Sequence, residues 1–82
     1  MGPRDTLNRL KWHPEFNLGG AKVAVVHRGL PGDVKVIEGK DIKELGPAFM
    51  RVVTPEGEVQ IPYHRILRIE AQGRILWQKS EV

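Results

Sequence analysis

Two imidazole-guanidinium pairs, His27-Arg28 and His64-Arg65, are the residues of this chain best suited to chemistry. A guanidinium presents a planar fork of donors that fits two phosphate oxygens, and an imidazole adds a donor that titrates near neutral pH. Either pair on an ordered turn suits a phosphate. The same residue types also serve structure, since an Arg on a strand-joining turn satisfies nearby carbonyls. Arg9 and Trp12 make a third candidate: three apart on a helix they are neighbours, with Lys11 beside them. Such a face can stack a base and hold a phosphate. The alternative is that Trp12, one of five aromatics, folds under into the core.

An enzyme needs a nucleophile or an acid and base pair, and the candidates between pH 5 and 8 are His13, His27 and His64. Two histidines flanking a phosphodiester can cleave RNA or open a cyclic phosphate by proton transfer. The triplets His-Pro-Glu, His-Arg-Gly and His-Arg-Ile, however, lack the His-x-Thr/Ser signature of two-histidine phosphoesterases. The sequence has no Walker loop, no His-Glu-x-x-His and no clustered acids for two-metal catalysis. Three scattered histidines and no cysteine predict no metal site and no cofactor.

The elements that must position these groups follow from apolar period. Around Gln60 to Ile69 the phase slips: Val59, Ile61 and Tyr63 alternate, Tyr63, Ile66 and Leu67 sit at helical spacing, and Leu67, Ile69 and Ala71 alternate again. The slip predicts strand, one helical turn with Pro62 at its first position, then strand, with His64 and Arg65 pointing away from the buried side. Upstream, Asp5 caps an expected helix from Thr6 to Trp12 with Leu7 and Leu10 as its buried stripe, stopped by His13-Pro14. Glu15 to Gly20 reads as loop. Lys22–His27 and Val34–Ile37 read as a hairpin joined by Arg28-Gly29-Leu30-Pro31-Gly32-Asp33. The glycines there either bring amides close to an anion or merely supply positive φ for the turn.

Gly39 to Gly46 reads as a short helix with a capping box from Asp41 to Glu44. Ala48–Val53, with Phe49 and Val53 toward the core, and Val59–Ile61 read as strands across a Pro55-Glu56-Gly57-Glu58 turn. Leu67–Ala71 and Arg74–Lys79 pair across Gln72-Gly73, with Ile75 and Trp77 on one side. The expected fold is α+β: a small, strongly bent antiparallel sheet or partly open barrel of about five to six strands. An N-terminal helix and one short inserted helical turn complete it.

Eighty-two residues fit a single domain, 1–82, with one small core. The longest apolar run, Val23 to Val26, is far short of a membrane span, and the N-terminal residues lack an apolar signal region. These features lead to the expectation of a cytoplasmic protein. The net charge is +3, and the surplus lies in the first half: residues 1–40 carry seven Lys or Arg against four acids, residues 41–82 six of each. A polyanion partner is favoured.

With Asn8-Arg9-Leu10-x-Trp12, His27-Arg28-Gly29-x-Pro31-Gly32-Asp33, Ile61-Pro62-Tyr63-His64-Arg65-Ile66 and the late Trp77 in that order, the chain resembles the RNA cyclic-group end-recognition domain family. That family is a small archaeal domain that also occurs fused to RNA-repair enzymes. The resemblance covers nearly the whole chain, and its most specific part is the Ile-Pro-Tyr-His-Arg-Ile block. It implies recognition of RNA 3′ ends bearing a 2′,3′-cyclic or related terminal phosphate, in tRNA or other RNA repair, beside a repair enzyme as partner. The site residues it implies are Arg9, His27, Arg28, His64 and Arg65, with Trp12 as a stacking platform. A small histidine-dependent ribonuclease or cyclic phosphodiesterase, and a protein-interaction module with an incidental basic face, are the competing readings.

Overall fold

The computed structural model describes residues 2–12, 18–27, 29 and 31–79. Helix α1 runs Pro3–Trp12, three residues ahead of the expected start at Thr6. Proline suits the first helical position because that amide has no intrahelical acceptor. The Thr6 amide donates to the Gly2 carbonyl at 3.2 Å, and the Gly2 amide donates to the Asp5 carboxylate at 3.4 Å. Asp5 therefore reaches back from inside the first turn rather than capping it. Leu7 and Leu10 are buried as expected, whereas Arg9, Lys11 and Trp12 are exposed. The His13-Pro14 stop lies outside the described residues.

Seven strands follow among the described residues: β1 (Ala21–Val26), β2 (Val34–Glu38), β3 (Ile42–Leu45), β4 (Phe49–Thr54), β5 (Gly57–Pro62), β6 (Ile66–Ala71) and β7 (Arg74–Gln78). They form two antiparallel sheets, ordered β2-β1-β6-β7 and β3-β4-β5. The α+β class is as expected; the single bent sheet or barrel of five to six strands is not. Among the described residues the sheets stay separate and do not close. The chain passes between them twice, each time through a 3-10 turn: Gly39–Asp41 from β2 to β3, and Tyr63–Arg65 from β5 to β6. Among the described residues Leu18–Gly20 is a third such turn and Pro31–Asp33 a tight turn with positive φ at Gly32 (72°), where one inserted helical turn was expected.

The extra strand is β3, where a capping box suggested helix. Tertiary pairing overrides that local signal. Instead of closing a cap, Glu44 pairs with Arg51 of β4 at 2.7 Å and Lys43 with Glu58 of β5 at 2.8 Å. Lys43 holds the Glu58 carboxyl below its usual range, first through the hydrogen bond and then through its charge.

The core lies between the sheets under α1. Leu7, Val23, Val25, Met50, Val52, Ile66 and Ile69 are its most completely buried side chains. On β4 the phase is opposite to the expected one: Met50 and Val52 are buried, Phe49 is half-buried and Val53 is 46% exposed. On β7 a register shift between the pairs Ile69↔Trp77 and Glu70↔Ile75 leaves Leu76 as an extra residue. Leu76 and Trp77 consequently pack against the core while Ile75 is 55% exposed. Gln72 and Gly73, with φ of 53° and 75°, make the two-residue hairpin turn that needs positive φ at both positions. No helix among the described residues is long and apolar enough to cross a membrane.

Candidate anion-binding site

Tyr63–Arg65 forms a single 3-10 turn, preceded by Pro62 in extended geometry (φ −63°, ψ 144°) and closed by the Ile66 amide donating to the Tyr63 carbonyl. Pro62 thus precedes the turn rather than opening it. The turn is pinned on both sides. Ile66 is fully buried, and the Tyr63 hydroxyl donates to the Gly46 carbonyl at 2.6 Å. The same carbonyl accepts from Arg4 Nε of α1 at 3.0 Å, so helix, β3–β4 connection and turn meet on one oxygen. Burial pushes the Tyr63 hydroxyl's pKa up, against a smaller opposing pull from Arg4. With Tyr63 and Ile66 held inward, His64 and Arg65 are left on the outside.

Strand pairing brings the second histidine to them. Between β1 and β6 the partners change from Ala24↔Arg68 to Val25↔Ile66, which leaves Leu67 as an extra, bulged residue. Bulges bend a strand and re-aim the side chains beside it. Continued past Val25, this register runs Val26 toward Arg65 and His27 toward His64. The His27 amide donates to the Asp33 carbonyl at 2.8 Å, which closes the β1–β2 hairpin behind that residue. From the other neighbouring strand, the Lys79 amide donates to the carbonyl of the bulged Leu67 at 2.9 Å, and Lys79 Nζ donates to the His64 carbonyl at 3.0 Å.

The product is a cleft of about 700 Å³ lined, among the described residues, by Val26, His27, His64, Arg65 and Lys79. The polar four are all exposed, so the cleft opens to solvent. No Asp or Glu among the described residues lines it. Arg51, Lys43 and Arg68 each face a carboxylate elsewhere on the surface, but Arg65 and Lys79 have none among the described residues. Two fixed cations and two imidazoles with no facing acid among the described residues make a local positive potential, and an anion is the ligand it favours.

Of the residues marked in the sequence, His27, His64 and Arg65 come together in the cleft. Arg28 lies outside the described residues, as does His13. Arg9 and Trp12 sit on the exposed side of α1 and do not line the cleft. Trp12 is 78% exposed with Lys11 Nζ 5.6 Å from its ring centroid, within cation-π reach. Lys79 was missed in the sequence, although a signal existed. Counting back from the Gln72-Gly73 turn sets Lys79 opposite Ile66, and the Leu76 bulge moves it one place to Leu67. Either way it lands beside the His64-Arg65 turn. Among the described residues no three His, Asp or Glu side chains gather as metal ligands.

Fold and cleft together define a small α+β domain with a preformed cationic site that no acid among the described residues lines. The sequence comparisons narrow this class. The model of the MJ1316 RNA cyclic group end recognition domain matches residues 1–79, and the chain belongs to that family. Among its archaeal relatives, a UPF0248 protein of Pyrococcus horikoshii is 35% identical over 80 residues, covering 96% of this chain and 90% of its own length. One from Pyrococcus furiosus is 37% identical over 79 residues, covering 95% and 88%. One from Archaeoglobus fulgidus is 29% identical over 73 residues, covering 89% and 99%. No solved structure matches the chain significantly.

Proposed function

We propose that this protein is a non-catalytic RNA-binding module that recognises RNA 3′ termini carrying a 2′,3′-cyclic phosphate or a related terminal phosphate. It acts in cytoplasmic RNA processing or repair, with tRNA a candidate substrate and an RNA-repair enzyme the partner that supplies chemistry. The observation that carries the reading is the cleft in which Arg65, His27 and His64 meet with no acid among the described lining residues. The family's description supplies the ligand class. A cyclic phosphate is a monoanion with two free oxygens, which the Arg65 fork can hold together while an imidazole donates to a ribose or phosphate oxygen. Trp12, outside the cleft, is placed to stack a base further along the strand, a contact of about 1 to 3 kcal/mol.

The test compares one oligoribonucleotide ending in 2′,3′-cyclic phosphate with the same oligomer ending in hydroxyl. Tighter binding of the cyclic end is expected, and Arg65→Ala should remove roughly tenfold of it by deleting a charge-assisted bidentate contact. Equal affinity for both ends leaves only general RNA binding.

A second reading rests on one observation, that two histidines line the same cleft. One imidazole would take a proton from water as its oxygen bonds to phosphorus. The other would protonate the ribose oxygen as the ring P–O bond breaks, giving a monoester. This reading requires monoester to accumulate with excess cyclic substrate and to vanish in His27→Ala and His64→Ala; no product between pH 5 and 8 removes it.

A further inference from the structure

Among the described residues, Lys79 is the one lining cation that the sequence motifs do not contain. It follows β7, and two backbone-directed bonds hold it: its amide to the Leu67 carbonyl at 2.9 Å and its ammonium to the His64 carbonyl at 3.0 Å. The second bond places a full positive charge beside the backbone of the turn that presents His64 and Arg65. An ammonium has three donors and no acceptor. One is spent on His64, and the other two have no protein acceptor among the described residues, with the cleft in front of them.

We infer that Lys79 is a phosphate-contacting residue of this cleft, which braces the His64-Arg65 turn with one donor and turns the remaining two to a phosphate oxygen of the bound RNA end. The inference rests on the reading of the cleft as an RNA-end site and extends it to the third chain segment that builds the wall. Bracing and contact are compatible because the bond to the His64 carbonyl uses one of the ammonium's three hydrogens. The two remaining donors are exposed and open to an anion entering the cleft, which no acid among the described residues lines. A point charge on a flexible stem suits a terminal phosphate whose position varies, while the planar Arg65 fork sets orientation.

The experiment is a salt titration of binding to the cyclic-phosphate oligomer by the full chain and by Lys79→Met, which keeps the stem and removes the charge. The slope of log affinity against log salt should become shallower by about 0.7, the contribution of one phosphate on a single strand. Affinity at low salt should fall roughly two- to fivefold, as for an exposed ion pair. Lys79→Arg, which keeps the charge, should restore the slope. An unchanged slope in Lys79→Met, with Arg65→Ala weakened in parallel, overturns the inference and leaves the RNA-end reading standing. Should the unsubstituted protein bind both ends alike, the end reading fails, and the slope on the hydroxyl-ended oligomer then decides Lys79. If Lys79→Met does not fold, NMR of the Lys79 ammonium in the unsubstituted protein decides: its signal must move on adding oligomer, and a signal that stays still overturns the inference.

Discussion

The Tyr63 hydroxyl shows how one side chain links the fold to the site. Its bond to the Gly46 carbonyl fixes the inward side of the turn whose outward side carries His64 and Arg65. Tyr63→Phe should cost about 1 kcal/mol, the usual net worth of one hydrogen bond, read as a lower urea midpoint at pH 7. The Arg4 bond to the same oxygen keeps that acceptor from being left unpaired. The pH dependence has a definite sign. Burial raises the hydroxyl's pKa in the folded protein above its ordinary value near 10, so the unfolded chain ionises first. The associated stability is complete below pH 10 and is lost as pH climbs through the folded value. Midpoints measured from pH 9 to 11 should fall in the unsubstituted protein and show less of that fall in Tyr63→Phe; parallel curves would assign the alkaline loss elsewhere.

Among the elements, the 3-10 turn Gly39–Asp41 is the least tolerant. A Cβ at Gly39 would stand 1.7 Å from the Leu18 carbonyl oxygen and 3.1 Å from that of Ala21, both backbone atoms that cannot swing aside. Gly39→Ala should therefore destabilise by on the order of 3 kcal/mol, seen as a large drop in thermal midpoint. A drop under about 0.5 kcal/mol would mean the two turns separate easily. In the sequence Gly39 only opens an expected short helix, and nothing local marks the contact, because the partner carbonyl is 21 positions away. Six of the seven strands among the described residues and the two-residue Gln72-Gly73 turn were readable from period and turn chemistry, whereas β3 read as a short helix. The phase of β4 was not: Phe49-Met50-Arg51-Val52-Val53 offers apolar residues to both faces, and only packing into the shared core selects Met50 and Val52. On β7 the Leu76 bulge breaks the alternation on which pairing Ile75 with Trp77 depended.

For the whole molecule, the distribution of paired and unpaired charge matters more than the net +3. On the β3-β4-β5 sheet, Lys43, Glu44, Arg51 and Glu58 neutralise one another, while the cleft at the ends of β1, β6 and β7 keeps its cations without a facing acid among the described residues. Binding through two or three phosphates should give a salt slope of about −1.4 to −2.1, the signature of a modest, electrostatic grip by a lone small domain. The residue types, the strand-turn-strand break after Pro62 and the outward placement of His64 and Arg65 were determined by the sequence alone, because apolar period and proline stereochemistry act within a few residues. Only the tertiary structure decided that His27 joins them and that Arg9 and Trp12 stand apart. The physical reason is that β1 and β6 pair residues more than forty positions apart in a register set by the one-residue shift at Leu67, and a bulge leaves no local mark in the chain that contains it.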